Sequence, residues 1–236
     1  VTSDAAIGAV AALDDELRRR MYRFIREAGR PVTRDEAAEY VGISRKLAAF
    51  HLDKMVDVGL LRAHYEHVGG IRRVGRTPKV YRPVDADVRV SIPERRPEVL
   101  ADILVDAVLG QRDGESGRAA AVRAAAERGA ATGRELRQRP GTGERALVLV
   151  RNALAEWGFE PADTAPGGIR LRNCPFHPLA ARAPELVCAL NHSYLTGLLA
   201  GLGADSTRAV LAPAAGECCV EIRPAEDQRA EITREV

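Results

Sequence analysis

Four cysteines, Cys174, Cys188 and the adjacent pair Cys218 and Cys219, are confined to the last third of this 236-residue chain. Thiolates are preferred ligands of iron-sulfur clusters and zinc, and several converging in one small domain can make its folding depend on an inorganic centre. A lone cysteine is more often a small buried hydrophobe. Here Cys174 and His177 stand at a Cys-x-x-His spacing around Pro175, and Cys188 and His192 lie four apart in an apolar helical run, so that pair shares a face. The expectation is a centre with ligands drawn from Cys174, Cys188, Cys218 and Cys219, with His177 or His192 available for the fourth position if only one of the final pair binds. An iron-sulfur cluster, 4Fe-4S or 2Fe-2S, takes four ligands. Zinc accepts the same donors and is the alternative, and a Cys188–Cys218 disulfide switch is a weaker third.

Only tertiary folding can bring such distant cysteines together. Ile169 and Leu171 fit a strand running into the turn at Cys174 and Pro175, and Glu185 to Leu202 reads as one strongly apolar helix. Residues 207–212 and 218–223 read as paired strands across a turn at 213–217, and 144–157 as an amphipathic helix ending at Gly158. Residues 144–236 are thus expected to form an α+β domain. Strand alternation sends Cys218 toward the core with Val220 and Ile222, and Cys219 outward with Glu221; a bulge at Gly216 would reverse them.

The first 83 residues carry a different chemistry. They hold 16 Lys or Arg against 11 Asp or Glu, a balance of +5, while the remainder holds 19 against 22, a balance of −3. The basic excess suits phosphates. Apolar residues at Leu13, Leu17, Met21, Phe24 and Ile25 give an amphipathic helix stopped by Gly29 and Pro31. Thr33, followed by Asp35 and Glu36, caps a short second helix through Tyr40. After a tight turn at Gly42, Ser44 caps a third, whose apolar stripe is Ala48, Leu52, Met55 and Val56. Residues 60–65 and 78–82 read as strands flanking a glycine- and arginine-bearing tip. Together these predict a winged helix-turn-helix. In it Ser44, Arg45, Lys46, Ala49, His51 and Lys54 of the third helix, with Arg72, Arg73, Arg76 and Lys79 of the wing, are the candidate contacts to a double-stranded DNA operator. The helix would address base edges and the wing would hold the backbone. His51, beside Leu52, is better suited to packing or a phosphate than to a metal.

The stretch from Ile43 to Leu61, ISRKLAAFHLDKMVDVGLL, resembles the recognition helix of ArsR-like winged-helix repressors, with Ser44, His51, Leu52, Gly59 and Leu60 carrying the likeness, which covers about residues 11–83. Asn173-Cys174-Pro175-Phe176-His177, then Cys188, Gly197 to Leu199, and Gly216 before Cys218 resemble the sensor domain of SufR-type iron-sulfur repressors and are similar to vinyl-reductase-type binding domains. The likeness to SufR-type regulators spans nearly the whole chain. It implies a homodimeric transcriptional repressor that binds DNA when its cluster is present. It also implies three cysteine ligands, Cys174, Cys188 and one of the final pair.

Three regions follow: 1–83 as the DNA-binding domain, 84–143 as a helical linker and dimerisation region, and 144–236 as the cysteine-containing sensor. Residues 83–97 form a proline-bearing connector, and the helix at 98–110 is apolar on more than one face. A dimer partner or its own chain must cover it. Residues 117–139 are rich in alanine and arginine with a thin apolar face, which suggests an exposed spacer or flap. No run of about 18 apolar residues and no charged-then-apolar leader occurs, so a cytoplasmic protein without a membrane partner is expected. An enzyme is not: no Cys-x-x-Cys, nucleotide-binding glycine loop or Gly-x-Ser-x-Gly is present, and the histidines lack an evident carboxylate partner. The competing reading is a winged-helix regulator that binds a small apolar effector against the 186–202 helix.

Overall fold

The computed structural model describes residues 3–66, 77–85, 87–138, 146–165, 167–214 and 216–225. It is a mixed α+β chain with two small antiparallel sheets, as the patterning predicts. Its contacts divide it into two units, Val1–Val90 and Ser91–Val236. The division falls inside the proline-bearing connector. The expected middle region, 84–143, is therefore not separate, because both of its helices fold into the second unit.

In the first unit α1 (Ser3–Ala12) and α2 (Glu16–Ala28) precede a two-residue strand β1 (Val32–Thr33), then α3 (Arg34–Val41), α4 (Arg45–Asp57), β2 (Leu61–Tyr65) and β3 (Lys79–Pro83). Helices α2, α3 and α4 each start where the chain supplies an oxygen for their unpaired amides. Asp15 accepts from Arg18 N at 2.9 Å, Thr33 and Glu36 form a reciprocal capping box, and Ser44 Oγ accepts from Leu47 N at 3.2 Å. Gly29 and Gly42 then end α2 and α3 with φ of 64° and 77°, a backbone that side-chain-bearing residues avoid. The sheet runs β1-β3-β2, with Val32 and Ala63 both opposite Tyr81. Met21, Ile25, Val32, Ala48, Leu52, Met55, Leu61 and Tyr81 fill the core, at roughly 1.5–3 kcal/mol for each large side chain removed from water. Helix α1 and strand β1 escaped the sequence reading. An alanine-rich decapeptide has almost no amphipathic signal, and a two-residue strand has no period.

The second unit begins with α5 (Pro97–Leu109) and α6 (Gly117–Gln138), continues through α7 (Ala146–Glu156), β4 (Pro161–Thr164), β5 (Gly168–Leu171), α8 (Leu179–Arg182) and α9 (Pro184–Leu202), and closes with β6 (Thr207–Leu211) and β7 (Val220–Pro224). Its sheet order is β4-β5-β7-β6. The core gathers Ile103, Leu154, Phe159, Leu171, Phe176, Tyr194, Leu195, Leu198, Val220 and Ile222.

Helix α6 is not the exposed spacer its composition suggested. It buries Ala120, Ala121, Ala124, Ala125, Gly129, Gly133 and Leu136, and its main partner is α9. The two helices run parallel and touch backbone to backbone. A Cβ placed on Gly129 or Gly133 would lie 2.0 or 2.4 Å from the carbonyl oxygens of Tyr194 or Leu198. One on Gly197 or Gly201 would lie 2.1 or 2.3 Å from those of Ala126 or Ala130. Small residues give little hydrophobic contrast in sequence, yet they let two helices approach so closely that dispersion replaces side-chain interdigitation. Arg128 joins α6 to α5 through Asp106 at 2.7 Å, and Arg123 reaches the Gly110 carbonyl at 2.8 Å.

Candidate functional sites: a cysteine centre and a basic helix face

Three separated segments of the second unit deliver the cysteines. Cys174 follows β5 in a turn that other segments hold firmly. Arg95 Nη1 donates to the Cys174 carbonyl at 2.9 Å and to Asn173 Oδ1, Arg96 N donates to the Pro175 carbonyl at 2.8 Å, and His177 N closes the turn onto Cys174 O at 3.1 Å. Buried Asn173 in turn donates to the carbonyls of Glu94 at 2.9 Å and Gly158 at 2.5 Å. Cys188 lies in the second turn of α9. Cys218 and Cys219 lie just before β7, where Cys218 N donates to Leu171 O at 2.9 Å and Cys219 O accepts from Ala212 N at 2.8 Å. The strand was expected to include both. It starts two residues later, yet burial alternates from Cys218 onward: Cys218 is buried with Val220 and Ile222, and Cys219 is half-buried with Glu221, as strand alternation predicted.

All four thiols are free of disulfides. Cys174 lies near Cys218 and Cys188 near Cys219, close enough for each pair to influence one another's acidity. Cys218 is thus influenced by both Cys174 and Cys219, and Cys188 by Cys219. The acidities of Cys174, Cys188 and Cys218 record their surroundings. The hydrogen bond to Cys218, then burial, raises the Cys174 thiol, and burial above all raises Cys188. For Cys218 the Cys174 hydrogen bond acts downward, but Cys219 and burial outweigh it and carry the group up to about 11. Such thiols keep their protons unless a cation replaces them.

One side chain at this centre was missed in the sequence. Asn191, three residues after Cys188 on α9 and 1 % exposed, donates from Nδ2 to Cys218 Sγ at 3.1 Å, while its Oδ1 is buried without a hydrogen-bond partner. An amide inside an otherwise apolar helical run was the available signal. A buried, unpaired carbonyl oxygen is costly and calls for a partner. Neither candidate histidine is seen on a thiol. His177 is exposed, and His192 directs Nε2 at the Ala209 carbonyl, 3.1 Å away. Among the described residues no three His, Cys, Asp or Glu side chains form a group suited to a single metal ion. Tetrahedral zinc with bonds of about 2.3 Å would need its sulfurs within about 4 Å of one another, whereas the ligands of a cluster are held wider by the irons and sulfides between them.

In the first unit the α4 cap Ser44 and the α4 side chains Arg45, Lys46 and Lys54 are exposed to solvent. Arg45 Nε rests against Asp35 at 3.1 Å in an exposed pair, which costs little to rearrange. Ala49 is half-buried. His51 departs from expectation: it is 6 % exposed and belongs to the inner side of α4 with Ala48, Leu52 and Met55, so it packs under the helix instead of facing a groove. Lys79 Nζ contacts Asp53 at 2.7 Å, and that hydrogen bond raises its pKa. Both line a cleft of about 430 Å³ between α4 and the β2–β3 hairpin, with Ala49, Tyr65 and Tyr81. Arg72, Arg73 and Arg76 lie outside the described residues. Compared with protein families, curated proteins and solved structures, the chain matches none, so its function must be read from these two sites.

Proposed function

We propose that this protein is a DNA-binding transcriptional repressor whose second unit carries a cysteine-ligated iron-sulfur cluster and reports cluster or oxidant status. The observation that carries this reading is the approach of four free thiols from three distant segments, Cys174 near Cys218 and Cys188 near Cys219, with an unpartnered buried amide oxygen on Asn191. Cys174, Cys188, Cys218 and Cys219 are the ligand set, and Asn191 supplies an N–H to sulfur that would orient Cys218 and disperse its charge. When bound, the cluster supplies cross-links that iron loss or oxidation removes. The chain does the rest. Arg95, Arg96 and Asn173 hold the Cys174 turn in place, and the α6–α9 crossing ties the helix bearing Cys188 to α6, which Arg128 joins to α5.

For the first unit, a capped α3, a glycine turn, a capped α4 with a cationic outer side and a two-stranded hairpin support a winged helix in which α4 enters the major groove. Among the described residues no helix is long and apolar enough to cross a membrane. The test is anaerobic reconstitution followed by absorption spectra, iron, sulfide and zinc assays, and binding to operator duplexes selected from a random pool. A sulfur-to-iron charge-transfer band with matching iron and sulfide is expected, with tighter operator binding by the loaded protein. Zinc without sulfide would replace the cluster by the single-ion alternative, and protein prepared without oxygen that takes up neither would overturn the reading.

We also infer a homodimer through the outer side of α5. Val99, Leu100, Ile103 and Ala107 are buried by the chain itself, whereas Val108 and Leu109 are 73 % and 82 % exposed, next to exposed Leu104 and Val105. Such a contiguous apolar side favours a self-complementary partner. Val108→Asp is expected to weaken dimerisation by about 3 kcal/mol, about a hundredfold in dissociation constant, because each copy would bury an unpaired carboxylate. Light scattering across a concentration series reads this out, and a wild-type chain that stays monomeric at micromolar concentration would remove the dimer.

A further inference from the structure

Resting on the duplex-binding reading above, we propose that Phe50 on α4 recognises the C5 methyl group of a thymine at a fixed position in each operator half-site.

The ring stands where the fold has no use for it. The inner side of α4 is filled by Ala48, His51, Leu52 and Met55, while Phe50 lies on the outer side and is 65 % exposed. At such a position a polar side chain would be well solvated, whereas a phenyl ring leaves apolar surface in water. Lys46 sits one helical turn before it and Lys54 one turn after, both exposed, so the ring is centred between two cations on one helical row. That arrangement matches a groove: phosphates flank, and a base edge lies between. Asp53, the nearest carboxylate in sequence on that side, is drawn to the hairpin by Lys79 at 2.7 Å and Tyr81 Oη at 3.2 Å. The ring is also braced, standing nearly edge-on to buried His51 with centroids 5.5 Å apart and planes at 73°.

Chemistry narrows the target. The major-groove edges of guanine, cytosine and adenine offer hydrogen-bond donors and acceptors, which a phenyl ring cannot pair and would only desolvate. Thymine alone among the four bases adds an apolar group, its C5 methyl. Phe50 therefore favours thymine and disfavours the other bases at the pair it faces.

The experiment uses the full chain, prepared anaerobically, and the duplex it enriches from a random pool. Each thymine of the enriched site is replaced in turn by deoxyuridine, which removes the methyl and nothing else. One position per half-site is expected to lose about tenfold in affinity with the wild-type chain, as for one methyl-sized group in an apolar contact. With Phe50→Ala the loss at that position should vanish, because the variant already binds the thymine duplex as weakly as the wild type binds the uridine one. Phe50→Leu, which keeps an apolar contact, should retain part of the discrimination. Circular dichroism verifies that both variants are folded. If every uridine duplex binds wild type as tightly as its thymine parent, or if Phe50→Ala stays sensitive at the same position, methyl recognition is wrong while duplex binding stands. If no duplex is enriched at all, the DNA-binding reading falls and this inference falls with it.

Discussion

Gly197→Ala is expected to destabilise the second unit by about 3 kcal/mol or more, at the upper end of what overpacking costs. The new methyl would sit 2.1 Å from the Ala126 carbonyl oxygen and 2.9 Å from its carbon. Neither can swing away as a side-chain tip would, because both belong to the backbone of a 22-residue helix. Relief requires the two helices to separate, and that loosens Gly129, Gly133 and Gly201 at the same crossing. A thermal midpoint lower by about 10 °C follows for a unit of this size. Gly117→Ala is the control: it lies at the start of α6, the partner helix, with nothing within 4 Å of the added carbon, and should be neutral or stabilising by up to about 1 kcal/mol. Equal midpoints for the two variants would show that the crossing is looser than described.

The second large effect belongs to the cysteine centre. Cys188→Ser keeps nearly the same size and removes one soft ligand, so the chain should still fold while failing to retain a cluster. Iron and sulfide content should fall to background, and the charge-transfer band should disappear. Operator affinity should drop by about tenfold or more, a coupling of roughly 1.4 kcal/mol, within the range found between linked sites. Wild type stripped of iron should bind operator like the variant, since both lack the same cross-links. A Cys188→Ser chain that holds iron at wild-type levels would remove Cys188 from the ligand set, and one that is iron-free but binds operator like the loaded wild type would disprove the coupling.

Much of the first unit was legible because its signals are local. Caps at Thr33 and Ser44, stops at Gly29 and Gly42, and three-and-four spacing of Met21, Ile25, Leu52 and Met55 are each read within a few residues. His51 was legible only halfway: its place beside Leu52 suggested packing, but its type also suggested a phosphate contact, and burial under α4 decides for packing. Helix α6 was misjudged for a reason of kind. Its burial depends on the absence of side chains at Gly129 and Gly133, and an absence has meaning only once the matching gap on α9 is known.

What this sequence determined by itself was the inventory and its local geometry: a basic, capped helical head, an α+β remainder, and four cysteines in three segments flanked by turn formers. Tertiary structure alone decided that Cys174 lies near Cys218 and Cys188 near Cys219, and that Asn191 donates to Cys218 while its own oxygen stays unpaired. Periodicity and propensity act over a few residues of chain, whereas a site assembled from residues 174, 188, 191, 218 and 219 depends on how a sheet and a close-packed helix pair fold those segments together.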